Sequence, residues 1–132
     1  MYIINRDGSG KTKIATNAEA VAWRVGDKIA YEYVVGTNPS RIYLVDIDGN
    51  NQKDLAQGVM PQNANNQRVI YRSGGVPKSI NVNGTGEMTL FGDYDRNTLK
   101  LSFDNTMIAG GAWGDPGIWL INIDGTGSTE IR

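Results

Sequence analysis

The chain has no cysteine and no histidine among its 132 residues. Without cysteine there is no disulfide framework and no thiolate nucleophile, and redox chemistry leaves the compartment unmarked. Without histidine the chain lacks the commonest general base and the commonest zinc ligand. Proline is scarce, 4 residues against 17 glycines, which fits many tight turns between short strands. No apolar run approaches the roughly 18–20 residues of a membrane-spanning helix. An excess of one charge is missing too. The 13 basic and 14 acidic residues give a formal net charge of −1, and the basic stripe that captures nucleic acid is absent. Residues 1–8 carry neither the basic nor the apolar region of a secretion signal, so an exported parent would have lost that signal or carry it upstream. No Ser or Cys nucleophile signature is present either, so the chain is expected to be non-catalytic, without cofactor or resident metal.

What is present is repetition. Asp7-Gly8, Asp48-Gly49, Asn83-Gly84 and Asp124-Gly125 each follow a short strand-like run, at 1–5, 42–47, 79–82 and 118–123. Six positions after each glycine stands an aliphatic residue: Ile14, Leu55, Leu90 and Ile131. The glycines lie 41, 35 and 41 residues apart. Such a period in a strand-rich chain reads as the blades of a β-propeller. Asp-Gly between strands predicts a hairpin with a type I′ turn.

The other strands recur as well. Segments 28–35, 68–73 and 106–112 are rich in apolar, β-branched and aromatic residues, preceded by 20–23, 99–103 and a poorer copy at 59–63. Between the second and third strands of each unit comes a glycine-containing loop with one proline: Pro39, Pro77 or Pro116. The expected fold is all-β and antiparallel, a single propeller segment of about three four-stranded blades (19–55, 58–90 and 98–131) plus a partial N-terminal blade (1–15). The runs 42–45 and 118–121 are apolar on successive positions, as in strands covered on both faces by neighbouring sheets.

Stretches 21–31 (VAWRVGDKIAY) and 42–49 (IYLVDIDG), and again 101–109 (LSFDNTMIA) and 118–125 (IWLINIDG), resemble the TolB-like (WD-like) bacterial β-propeller repeat. The likeness extends over nearly the whole chain, with a shorter, degenerate middle copy. It implies a scaffold or binding module, with a protein or extended ligand laid across the loop face and a periplasmic or extracellular address. Closed propellers hold 4–8 blades, so this chain is expected to complete its ring by homo-oligomerisation or as part of a larger propeller. Two alternatives stay open: an accessory segment of a propeller enzyme of polysaccharide lyase or peptidase type, and an isolated or engineered repeat fragment whose only property is assembly.

Several motifs hint at chemistry. Gly8 to Thr12 imitates the end of a phosphate-binding loop, but the required first glycine falls on Asn5 and no helix pattern follows. A turn repeated four times reads as structural. Asp93, Asp95 and Asn97, with Asp104 at the twelfth position, have calcium-loop spacing, yet Thr98 stands where the sharp turn needs glycine. A solvated polar loop is the preferred reading. Asp46 and Asp48 lie two apart on one strand face beside a turn. Trp23 and Trp119 read as core. Trp113 opens a loop, and in the blade order the resemblance implies, Asn38, Tyr94, Arg96, Trp113 and Asp115 share one surface as a possible recognition patch.

Overall fold

A computed structural model describes residues 1–25, 27–64, 67–90, 98–111 and 117–131, the side chains at 23–25, 63–64 and 98 excepted. The described residues form strands and turns, with no helix. A hairpin, β1 (Tyr2–Ile3) and β2 (Thr12–Lys13), comes first. Three four-stranded antiparallel sheets follow in chain order. The first holds β3 (Ala18–Val25), β4 (Lys28–Tyr33), β5 (Arg41–Asp46) and β6 (Lys53–Gln57). The second holds β7 (Val59–Ala64), β8 (Arg68–Ser73), β9 (Val76–Asn81) and β10 (Met88–Thr89). The third holds β11 (Thr98–Leu101), β12 (Met107–Gly111), β13 (Ile118–Asn122) and β14 (Thr129–Ile131). Within every sheet the spatial order is the sequence order. These are propeller-like blades, and β1–β2 is the outer half of another.

The packing alternates as strand geometry dictates, because successive side chains point to opposite faces. On β5, Ile42 and Leu44 join Ala30 in a core shared with Val69, Tyr71 and Ile80 of the second sheet. Val45 points the other way and meets Ile29, Tyr31 and Ile14 beneath the N-terminal hairpin. Ile70 of the second sheet turns from the first core into a third, with Leu90, Leu99, Ile108 and Ile121. Sheets therefore meet face to face through side chains, and the apolar run 42–45 is covered from both sides. The run 118–121 is not. Ile121 and Trp119 pack into the core shared with the second sheet, but Ile118 is 53% exposed. The hairpin also leaves a gap where inner strands would lie, since Val21 on β3 is 45% exposed although its pair Tyr31 is buried.

The Asp-Gly turns differ from the predicted type I′ form. Type I′ needs positive φ at both central residues, whereas only the glycines, at φ 81–88°, are left-handed. In each copy the residue three before the glycine closes the turn. Gly8, Gly49, Gly84 and Gly125 donate to the carbonyls of Asn5, Asp46, Asn81 and Asn122 at 2.8–2.9 Å. This is a type I turn with a glycine bulge. A true type I′ pair occurs between β8 and β9, where Gly74 and Gly75 have φ of 58° and 83°.

That tight turn replaces the seven-residue connection 34–40 of the first sheet, which accounts for most of the shortened spacing of the second blade. It also moves Pro77 from the expected loop into β9, where it is fully buried. Its carbonyl accepts the Leu90 N–H at 2.9 Å just past the last β10 pair, and its missing N–H leaves that contact one-sided at the end of the ladder. Phe103, expected in a strand, stands in the β11–β12 turn and is fully exposed.

Candidate functional site

Two polar regions of the described surface could bear function, and they sit at opposite ends of the strands. At one end lie the four repeated turns. The side chain of Asp7, Asp48, Asn83 or Asp124 accepts the N–H of the residue two ahead at 2.9 Å in every copy. Ser9, Thr85 and Thr126 add a hydroxyl bond to the same oxygen at 2.6–2.7 Å. Asn5, Asn81 and Asn122 reach across to those hydroxyls at 3.1–3.3 Å.

In the copy at 46–51, Asn51 stands where the others have a left-handed glycine, takes φ 51°, and donates to Asp46 at 2.6 Å. Asn tolerates that region because its side chain bonds locally. The phosphate-loop resemblance of residues 8–12 ends here, since Lys11 lies over the Tyr2 ring at 4.8 Å. Asp46 and Asp48 likewise divide their work. Asp46 holds Lys28 and Asn51, while Asp48 holds Asn50.

Asp104 is engaged in the same manner, accepting from the Ser102 and Thr106 hydroxyls at 2.6 and 2.8 Å. Its supposed calcium companions Asp93, Asp95 and Asn97 lie outside the described residues. Among the described residues no group of three metal-type ligands converges.

These bonds favour the charged carboxylates. Hydrogen bonds from Ser9, Lys28, Ser102 and Thr126 hold Asp7, Asp46, Asp104 and Asp124 below the ordinary 3.8. Lys78, then Tyr71, holds Glu87 below 4.5. A carboxylate with a lowered folded-state pKa stabilises the fold above its unfolded value and loses that contribution as pH falls through the folded one. No histidine titrates between pH 5 and 8. The urea midpoint is therefore expected to be level from pH 6 to 8 and to drop below about pH 4. An unchanged midpoint at pH 3 would contradict this.

The half-buried polar anchor of the second blade is Arg68. Its guanidinium donates to the Ser79 hydroxyl at 2.8 and 3.2 Å, to Asn81 at 2.6 Å and to the Gly86 carbonyl at 2.7 Å. Burial lowers its pKa, with Asp124 of the next blade opposing the shift.

The other end carries the loop between β4 and β5, the crossover at Gly58 and the β8–β9 turn. Gly58 donates to the Ser40 carbonyl at 3.0 Å, which ties the crossover to the loop bearing Asn38. Asn38 is exposed there. Its proposed companions Tyr94, Arg96, Trp113 and Asp115 lie outside the described residues, as does the side chain of Trp23.

The structure brings other residues to this end that the sequence pattern did not mark. Met60 is 58% exposed with φ 53°, and its N–H donates to Glu32 of the first sheet at 3.0 Å. Glu32 itself is 8% exposed. A carboxylate from one sheet thus fixes a bulged, left-handed position in the next. Met60, Gln62, Arg72 and Leu99 line a cavity of about 30 Å³, room for no more than water. Arg72 also bonds the Gly75 carbonyl at 2.9 Å. A glutamate at mid-strand and an unusual methionine φ leave no trace in local sequence periodicity, so this corner was not legible.

No family model and no curated protein sequence matches the chain. Solved structures do. A protein assigned as a TolB from Agrobacterium tumefaciens superposes with TM-score 0.76 at 15% identity, over 98% of this chain and 55% of its own. A chain of a nidogen/laminin complex gives 0.71 at 14%, over 99% and 56%. An oligogalacturonate lyase in complex with manganese gives 0.71 at 12%, over 98% and 40%. The chain thus spans about half the length of the structures it matches. At these identities the likeness shows the fold alone.

Proposed function

From a chain folded as a segment of a TolB-like β-propeller, we propose a non-catalytic scaffold and binding module whose ring is completed by blades outside this segment, with a periplasmic or extracellular address. The observation that carries the reading is the commitment of carboxylates to structure. Asp7, Asp46, Asp48, Asp104 and Asp124 each accept bonds within a turn or from a strand neighbour, whereas general acid–base work needs two groups aimed at a shared substrate position. The loop end, with Asn38, Met60 and Arg72, is where a protein or extended ligand would lie.

The competing reading is an accessory part of a propeller enzyme. The fold likeness to a manganese-bound lyase makes it concrete. Incubating the chain with oligogalacturonate and manganese, while following the ultraviolet absorbance of unsaturated product, separates the two. No product above the manganese blank is expected. Turnover abolished by a chelator would replace the scaffold reading with catalysis.

A further inference from the structure

The chain contains four methionines, and the fold treats one of them unlike the rest. Met1 packs against the core beneath the N-terminal hairpin. Met88 packs against the core between the second and third sheets, and Met107 is half-buried on β12. Met60 is 58% exposed. Oxidation of a side-chain sulfur follows its exposure, so access alone ranks Met60 first.

Its backbone is unusual as well. Met60 takes φ 53° within the bulge of β7, a left-handed conformation that is an outlier for a bulky side chain. Pro61 follows it, and a proline narrows the conformations open to the residue before it. Such backbone persists only where its surroundings hold it, and it concentrates at ligand clamps and switch regions. Here the hold comes from Glu32 of the neighbouring sheet, 8% exposed, which accepts the Met60 N–H at 3.0 Å. The point from which the Met60 side chain leaves the strand is thereby fixed.

The space beside Met60 is equally specific. Met60, Gln62, Arg72 and Leu99 line a cavity of about 30 Å³, which holds one water-sized oxygen. The lining sets an amide and a guanidinium, both hydrogen-bond donors, beside the methionine and one aliphatic wall. Arg72 follows the buried Tyr71 as Glu32 follows the buried Tyr31. The same place in successive blades thus offers an acceptor to Met60 from one side and donors to the cavity from the other. A thioether is a weak acceptor, whereas its sulfoxide carries an oxygen of the size this cavity holds.

We propose that Met60 is a reversible oxidation site, its sulfoxide oxygen seated in the cavity against Arg72 and Gln62. The oxidant is a peroxide. A sulfur lone pair attacks one peroxide oxygen, the O–O bond breaks as the S–O bond forms, and the departing hydroxide takes up the remaining proton as water. The sulfur loses two electrons and the peroxide gains them. Reduction restores the thioether, two thiols becoming a disulfide while the oxygen leaves as water. The product is polar and chiral where the thioether was apolar and achiral. In the scaffold reading Met60 lies at the ligand-bearing end, where this change would alter the contact, but the site itself rests on geometry and not on that reading.

A seated oxygen has a stereochemical consequence. A freely accessible thioether gives both sulfoxide epimers equally, whereas one that delivers its oxygen into a fixed cavity gives one in excess. The test treats folded wild type with hydrogen peroxide and follows each methionine by peptide mass spectrometry. The epimers are told apart by the two methionine sulfoxide reductases, each of which accepts one. Met60 should be oxidised about 10-fold faster than Met88 or Met107, whose packing must open first. One Met60 epimer should exceed the other by about 3-fold or more, a small part of what a bond from a charged donor is worth. In urea the two should return to equality. Gln62→Leu, checked for folding by circular dichroism, should reduce the excess. If that variant does not fold, folded against urea-unfolded wild type still decides. Equal epimers from the folded protein overturn the proposal, as does oxidation of Met88 or Met107 as fast as Met60. Neither result touches the turnover assay above, so the scaffold reading stands or falls separately.

Discussion

Replacing Tyr71 with alanine is expected to lower the free energy of unfolding by about 3–5 kcal/mol, the range for large aromatic truncations in a packed core. Tyr71 is 1% exposed and lies in the core between the first and second sheets, among Ala22, Ala30, Ile42, Leu44 and Val69. Strands hold the surrounding backbone, so the cavity has little freedom to collapse. Its hydroxyl donates to Glu87 at 2.5 Å, and Glu87 also receives Lys78 at 2.7 Å. Tyr71→Phe keeps the ring and removes only that bond, so it should cost about 1.5 kcal/mol, the lower end for bonds to charged groups.

The two variants also separate at high pH. Burial, then the Glu87 bond, raises the Tyr71 pKa above the ordinary 10.0. A raised folded-state pKa adds stability that is complete below the unfolded value and is lost as pH rises beyond it. Wild type should therefore weaken above about pH 10 more steeply than Tyr71→Phe. Urea denaturation of the three proteins at pH 7 and pH 10.5 measures both effects. A Tyr71→Ala loss under 2 kcal/mol at pH 7 would mean that the sheets do not pack on this ring.

Gly58→Ala is expected to destabilise by about 2–3 kcal/mol, the cost of forcing a methyl group into filled space. Gly58 joins β6 to β7 at the step from one sheet to the next. A Cβ there would fall 2.5 Å from the Arg72 carbonyl oxygen and 2.5 Å from Cδ2 of the Tyr71 ring. The ring is locked in the core and the carbonyl belongs to β8, so neither yields cheaply. The Tyr71 variants supply a control. In a Tyr71→Ala background the ring clash disappears while the carbonyl clash persists, so the two losses should fall short of additivity by about 1 kcal/mol, the scale for residues in contact. Full additivity would place the crossover away from Tyr71.

The fold was legible because the repeat writes it several times. Glycines at a fixed offset from an aliphatic residue, in four copies, fix where each outer hairpin begins and which side chains must be covered. Finer features depend on tertiary context. Asp-Gly is compatible with both a type I′ turn and a type I turn with a bulge, and the choice rests on Asn5, Asp46, Asn81 and Asn122 accepting the glycine N–H. Pro77 looked like loop punctuation because proline seldom enters strands. It enters here at the end of the β10 ladder, where its carbonyl bonds Leu90 and no further pair follows. Phe103 falls at the end of the expected strand 99–103, yet Ser102 and Asp104 bond each other across it and hold it in a turn. Of the candidate surface only Asn38 lies among the described residues, exposed in the β4–β5 loop, while the Glu32–Met60 tether arises from residues 28 apart in sequence, a distance no local pattern spans.

Every strand pairing described joins neighbours in sequence, and no ladder connects one sheet to another. Short loops close before any distant segment is needed, which keeps the entropy of folding steps low and favours rapid formation for an all-β chain. During synthesis each sheet can zip up as soon as its fourth strand leaves the ribosome, using its predecessor as the template surface. The polypeptide thus grows by accretion, and the most recently added layer is always the one waiting for its cover.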